Sequence, residues 1–410
     1  MYIGREIMET KIANTEYYFT QYFQYRIFSI FHIYPKTLFS IAMKSRLSIL
    51  FVCLLAGVSV FAQKKSTKPL VIAYYTGDAK QINQYNIGQL DQIIFSFTHV
   101  KNDALTVDKA RDSATIKYLV SLKKKYPKLK IILSMGGWSG CEPCSETFSR
   151  ENGRQTFAKT TKQLLEYFGA DGIDLDWEYP TIEGFPGHLY QPADKTDFTT
   201  LIQTLRNTLG KKYELSFAAG GFQSYLDSAV EWKKIMPLVD RVNIMSYDLV
   251  NGYSKVTGHH TPLYSTKPGE ESTDRAVQYL LRLGIPSEKL VIGGAFYTRV
   301  WKNVAPINNG IYQSGEHTNG VNFKHYDTTF TAANGWEYFW DAKAHAPYWY
   351  NAQTKYFATG DDLHSIKDKT QYTIDQKLGG IMFWELILDK PKNGMVQAIT
   401  NVINGKETEF

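Results

Sequence analysis

Short runs rich in β-branched and aromatic residues alternate with longer segments of helical period, and eight such runs follow one another along the chain. The runs are Leu70–Tyr75, Ile93–Val100, Lys130–Met135, Gly172–Trp177, Leu215–Ala219, Arg241–Tyr247, Leu290–Tyr297 and Gly380–Leu386. Between them, Ser113–Tyr126, Arg154–Phe168, Asp197–Leu209 and Thr273–Leu283 carry apolar residues at helical spacing and end at glycine or before proline. A strand, a helix and a further strand in succession imply parallel strands joined by helical crossovers. Eight such units predict an α/β chain folded as a (β/α)8 barrel, whose core needs about 250 residues and tolerates insertions.

One connection breaks the rhythm. The stretch from Arg299 to Lys377 is too long for a single crossover and is rich in Tyr, Phe, Trp and Asn. We expect a small α+β insertion between strands seven and eight, forming one wall of a cleft. The expected boundaries are residues 63–300 and 376–410 for the barrel and 301–375 for the insertion.

Asp171-Gly172-Ile173-Asp174-Leu175-Asp176-Trp177-Glu178-Tyr179-Pro180 is the segment that carries chemistry. Asp174, Asp176 and Glu178 are two residues apart, so a strand would aim all three to one face and send Ile173, Leu175 and Trp177 to the other. That row would climb the barrel interior toward the C-terminal rim, where barrel active sites lie. Carboxyls held close together raise one another's pKa, so one of them stays protonated near neutral pH. Glu178, the outermost, is the natural general acid.

The same residues form a DxxDxDxE pattern (Asp171, Asp174, Asp176, Glu178) that resembles the catalytic strand of glycoside hydrolase family 18, the chitinases and related enzymes. Ser134-Met135-Gly136-Gly137-Trp138 resembles the family's third-strand SxGG motif, and Met245-Ser246-Tyr247-Asp248 its sixth-strand MxYD. Phe296-Tyr297-Thr298-Arg299 is similar to the end of strand seven, with Thr298 where glycine is usual. Gly379-Gly380-Ile381-Met382-Phe383-Trp384 resembles strand eight with its tryptophan floor, and Tyr74-Tyr75 the strand-one aromatic pair. The motifs occur in family order over roughly residues 69–404, and the long insertion resembles that of the deep-cleft chitinases.

The resemblance implies a retaining hydrolase without a protein nucleophile, in which the substrate's 2-acetamido oxygen attacks the anomeric carbon. On that reading Glu178 is acid and then base, Asp176 holds the acetamido N–H, Asp174 shares a proton with Asp176, and Tyr247 orients the acetamido carbonyl. Asp248 would bind the −1 sugar and Trp384 would lie beneath it, with Tyr74 and Ser134 supporting the carboxyl row. Trp138, Tyr179, Tyr253, Tyr297 and Arg299 complete the expected substrate contacts; Tyr253 stands where the family often has tryptophan. The implied substrate is chitin or a chitooligosaccharide. An endo-β-N-acetylglucosaminidase of N-glycan cores would use the same acids, but the insertion suits a long cleft better. A chitin-binding lectin is the non-enzymatic alternative; such members typically lose the terminal acid, and Glu178 is kept.

Leu47 to Gln63 contains no charged residue, follows Met43-Lys44-Ser45-Arg46 and precedes Lys64-Lys65. A basic start, an apolar middle and small residues at Val60 and Ala62 predict a signal peptide over residues 43–62, cleaved after Ala62. Residues 1–42 are expected to be a start-site artefact, with Met43 the true start. Export to the periplasm or the exterior follows, with no stable membrane insertion afterwards. Cys141 and Cys144 then meet an oxidising environment and are expected to form a local structural disulfide. A net charge of +6, without long like-charge blocks, gives no footing for nucleic acid. His259 and His260 lack metal-ligand spacing, no phosphate loop or dinucleotide fingerprint is visible, and neither metal nor cofactor is expected. A monomer is expected.

Overall fold

The computed structural model describes residues 68–406. The expected signal peptide, its cleavage site and the Met43 start lie outside the described residues.

The strands are, in chain order, β1 (Leu70–Tyr75), β2 (Gln92–Lys101), β3 (Ala104–Thr106), β4 (Lys130–Gly136), β5 (Gly172–Asp176), β6 (Glu214–Gly220) and β7 (Arg241–Met245). They continue with β8 (Leu290–Ala295), β9 (Thr298–Lys302), β10 (Glu316–His317), β11 (Glu337–Asp341), β12 (Ala346–Asn351), β13 (Tyr356–Gly360) and β14 (Gly380–Trp384). Parallel pairing runs β1-β14-β8-β7-β6-β5-β4-β2 and closes where β1 pairs with β2, giving the expected eight-stranded barrel. The short β3 turns back antiparallel on the end of β2.

The helical periods settle where capping permits. Helix Glu151–Phe168 ends at Gly169 in the left-handed conformation, with the glycine N–H returned to Leu165 O. Helix Thr273–Arg282 starts at Ser272, whose side chain accepts from Arg275 N–H. Helix Leu363–Asp375 starts from an Asp362 and Ser365 capping box and supplies the crossover into β14. Outward-facing strand residues such as Ile173, Leu175 and Trp177 join the helices in one large core. Inward-facing Ile72, Ile94, Ile132, Val291 and Met382 fill the barrel itself.

Two boundaries differ from the sequence expectation, and both matter at the site. The fourth run stops pairing at Asp176, because Gly137 N–H takes the Asp176 carbonyl at 2.9 Å and the chain then turns toward Pro180. Glu178 therefore stands beyond the strand end rather than on it. The seventh run divides: β8 ends at Ala295, and Thr298–Lys302 pairs instead with β13 and β10 in a five-stranded antiparallel sheet ordered β10-β9-β13-β12-β11. That sheet has its own core of Trp301, Val304, Ile311, Tyr348, Tyr350 and Phe357.

Candidate active site

Ser134 on β4, Asp174 on β5 and Ser216 on β6 are register partners, so the pleat aims all three side chains the same way. Tyr74 approaches from β1 and Asn243 from β7. Asp174 Oδ2 accepts from the Tyr74 hydroxyl at 2.9 Å and Ser134 Oγ at 3.0 Å. Its Oδ1 accepts from Ser216 Oγ at 2.6 Å and Asn243 Nδ2 at 3.0 Å. Burial still leaves the Asp174 pKa raised, with the Ser216, Tyr74 and Ser134 hydroxyls pulling the other way.

Asp176 is treated differently. It is buried, and among the described residues its Oδ1 has no hydrogen-bond partner. Burial, then the charges of Glu178 and Asp174, drive its pKa well above the usual carboxylate range. The main chain of Asp176 is fixed by β4: a Cβ on Gly136, whose φ is +109°, would stand 2.2 Å from the Asp176 carbonyl oxygen. Only glycine permits that approach.

Glu178 lies above this pair, half-buried at the cleft wall. Burial pushes its pKa up to about 7; the Tyr179 hydroxyl opposes the rise and the charge of Asp248 adds to it. Asp248, also at the cleft, accepts from Arg299 Nε at 2.7 Å and Nη2 at 2.6 Å and from the Tyr297 hydroxyl at 2.9 Å. Burial would raise the pKa of Asp248, but the hydrogen bonds and charge of Arg299 hold it well below the ordinary value. One acid is thus kept protonated and its neighbour kept ionised.

These groups open into a cleft of about 1090 Å³ at the C-terminal ends of the barrel strands. It exceeds the roughly 300–1,000 Å³ of a drug-sized pocket, so there is room for an oligomer. The residues matching the Glycosyl hydrolases family 18 model run from 70 to 389 and include every one of the groups just described.

The chain belongs to glycoside hydrolase family 18.

Among relatives of this family 18 member, chitinase A1 of Niallia circulans is 35% identical over 304 residues, 68% of this chain and 43% of that enzyme. The chain thus spans less than half the length of that relative. Chitinase B of Serratia marcescens is 28% identical over 437 residues, covering 83% of this chain and 85% of its own. A solved family 18 N-acetylglucosaminidase from Paenibacillus barengoltzii has a TM-score of 0.74 at 34% identity, covering 82% of this chain and 99% of that one.

In the family 18 cleft, Trp384 forms the floor. Phe97 stacks on it at 5.7 Å with planes 17° apart, and Tyr74 leans on it at 5.9 Å. Glu385, next in the chain, accepts from Thr76 N–H at 2.8 Å and Thr76 Oγ1 at 2.7 Å, which ties the end of β14 to the end of β1. Trp138 is 38% exposed and meets Tyr253, 63% exposed, at 6.3 Å between ring centres, while its other edges touch Tyr179 and Phe185. The Tyr247 ring is buried beside Tyr297, with its hydroxyl 3.9 Å from Met382 Sδ. Cys141 and Cys144 are bonded to each other in the loop after β4.

Eleven of the thirteen site residues expected from sequence line the cleft; Asp174 and Ser134 lie beneath it and act through their hydrogen bonds. Sequence reasoning missed Phe97, His317 and Asn322 on the wall and Ser216, Asn243 and His260 behind it. Asn243 had a signal: an amide at an inward position between the apolar Val242 and Ile244. Among the described residues, no helix is long and apolar enough to cross a membrane.

Proposed function

We propose that this family 18 member is a secreted chitinase that hydrolyses β-1,4 linkages between N-acetylglucosamine units with substrate assistance. The observation that carries the reading is the pairing of Glu178, its pKa raised to about 7, with a buried Asp176 whose Oδ1 is unpartnered. An acid protonated near neutrality can give its proton to the glycosidic oxygen. The unpartnered Asp176 oxygen can accept the acetamido N–H, and as Asp176 passes its own proton to Asp174 its carboxylate stabilises the cation that forms.

Trp384 stacks under the −1 ring, and Asp248 and Tyr247 orient it. The acetamido oxygen bonds to the anomeric carbon as the C–O bond to the leaving sugar breaks, and Glu178 transfers its proton to that oxygen. The oxazolinium positive charge rests against Asp176, while Asp174, anchored by Tyr74 and Ser134, keeps the row in place. Glu178, now anionic, removes a proton from water as the water opens the ring, which restores the acid. Trp138, Tyr179 and Tyr253 would hold neighbouring sugars by stacking, and Arg299 and Tyr297 would keep Asp248 ionised and aimed.

The test is the product profile of the purified protein on N-acetylglucosamine oligomers beside cellotetraose and deacetylated chitosan. Cleavage of the acetylated oligomers alone is expected, because the other two lack the acetamido nucleophile. Hydrolysis of cellotetraose would overturn substrate assistance. Release of glycan from a glycoprotein would favour the N-glycan endo-enzyme, binding without cleavage the lectin, and single N-acetylglucosamine units an exo-acting enzyme. Export rests on the Met43 to Ala62 segment; a mature N-terminus other than Gln63 would overturn the proposed cut.

A further inference from the structure

Asp248 has a φ of +56°, a left-handed conformation uncommon outside glycine that aspartate tolerates better than most residues. We infer that His260 holds it there, as a positioning residue that grips the Asp248 main chain through Nδ1 and the Tyr297 main chain through Nε2. The inference rests on the family 18 hydrolase reading above.

His260 is fully buried. Its Nδ1 lies 3.2 Å from the Asp248 amide nitrogen and its Nε2 lies 3.3 Å from the Tyr297 carbonyl oxygen. Its own carbonyl accepts from Leu249 N–H at 3.0 Å, so both sides of the Asp248 turn are tied to one residue. The two contacts settle the tautomer. An amide N–H only donates, so Nδ1 must accept; a carbonyl only accepts, so Nε2 must carry the hydrogen. The competing partner of Nδ1 is Asp248 Oδ1 at 3.4 Å. Donation there would leave the amide unpaired and turn a bare Nε2 against a carbonyl, while the Asp248 carboxylate already has three donors from Arg299 and Tyr297.

The charged groups facing the ring are Asp248, Arg299 and Asp361, the last paired with Lys369, and the Tyr297 ring lies against it at 5.3 Å. Burial, helped by Arg299 and opposed by Asp248 and Asp361, lowers the His260 pKa and keeps the ring neutral, as the double contact requires. The consequence reaches the acid: the Asp248 charge is one of the influences that raise the pKa of Glu178. A ring that lets Asp248 drift should therefore change the pH at which the enzyme loses its acid, and not only how well the protein folds.

Two replacements separate the contacts. His260→Asn keeps an acceptor close to the Nδ1 position and drops the link to Tyr297. His260→Gln keeps a donor near the Nε2 position and leaves the Asp248 amide without an acceptor. With a chromogenic chitobioside, His260→Gln should lose about five- to hundredfold in kcat/KM, the range corresponding to one unpaired buried donor. Its alkaline limb should also move to lower pH, whereas His260→Asn should restore most of the rate and the limb. Matching losses in both variants at unchanged melting temperature, or a Gln variant with the native limb, would overturn the inference. Should either variant fail to fold, ¹⁵N spectra of histidine-labelled native protein decide it: the Nε2–H tautomer is expected, and Nδ1–H would sink it. Native protein that folds but leaves the chitobioside uncut would sink the hydrolase reading instead, and the tautomer would still test His260.

Discussion

The barrel buries carboxyl groups at both of its ends and treats them in opposite ways. At the lower end, Glu214 sits among Arg241, Lys130 and Gln92; the Gln92 amide donates to it at 2.8 Å and itself accepts from Arg241 at 2.7 Å. Burial alone would raise the Glu214 pKa, but Arg241 and Lys130 more than offset it and the net shift is downward. At the upper end, Asp176 is buried and Glu178 half-buried without a cation between them, and both pKa values rise. Pairing makes a buried charge structural; leaving it unpaired stores a proton that chemistry can use. The two ends therefore respond to pH with opposite signs. Glu214, with its pKa lowered on folding, contributes stability that is present above its unfolded pKa and is lost as pH falls through the folded value. Glu178 keeps its proton in the fold after the unfolded chain has lost it, so stability falls as pH rises from about 4.5 to about 7 and is flat beyond.

The largest expected effect comes from breaking the upper end. Glu178→Gln should cut kcat by about 10²–10⁴-fold, the usual worth of general acid–base catalysis, and leave oligomer binding in place. The same change should stabilise the fold above pH 7 by at most about 3.5 kcal/mol, the shift from 4.5 to about 7 converted at about 1.4 kcal/mol per unit. Denaturant melts and single-turnover rates on one sample check both; a destabilised variant would mean that Glu178 is held by a partner after all. Breaking the lower end should give the mirror image. Arg241→Ala removes one side of a buried pair and should cost about 3 kcal/mol of stability, with the pH profile of kcat/KM unmoved. A shifted profile would show that the two ends are electrically coupled through the barrel.

The unmutated protein reports on the upper end through its pH dependence. Activity needs Glu178 protonated, so kcat/KM should fall above pH about 7, roughly tenfold per unit. Because Asp176 titrates with it, the limb reports the pair rather than one residue. Added salt should move the limb little, since buried charges are weakly screened. A limb near the ordinary glutamate value would place the acid elsewhere.

What the sequence disclosed follows the same division. Alternation along a single strand is a local property, so Asp174 and Asp176 were legible as inward acids and Ile173 and Leu175 as outward apolar residues. Ser216 and Asn243 reach Asp174 only because β6 and β7 are brought beside β5, and a lone polar residue in an apolar run does not announce its partner. His260 escaped for a related reason: its contacts depend on the turn at Asp248 and the end of β8, neither of which has a periodic signature. The seventh run misled because pairing ends at Ala295 while the apolar pattern continues to Val300 and beyond; periodicity cannot say which sheet a strand will join.

The smallest expected effect concerns the covalent link at the upper end. Cys141 and Cys144 are buried beside Met135, close behind Gly136 and the Asp176 main chain, so reduction is a test of whether rigidity or charge sets the acid. The turn they close is also held by Cys144 N–H on Cys141 O at 3.1 Å, and Ser145 Oγ is anchored to Asp194 at 2.7 Å. So short a loop adds only about 2 kcal/mol of chain entropy, and the turn should keep its shape without the bond. Cys141→Ala with Cys144→Ala should therefore lower the denaturation midpoint modestly while leaving kcat and its alkaline limb in place. Trp138 leads into this turn, so a small rise in KM for longer oligomers is the most that should follow. A limb displaced by the double change, in a protein that still melts cooperatively, would show that the disulfide holds the Asp176 main chain at the distance from Glu178 that raises both pKa values, and the division between a paired lower end and an unpaired upper end would have to include the covalent frame.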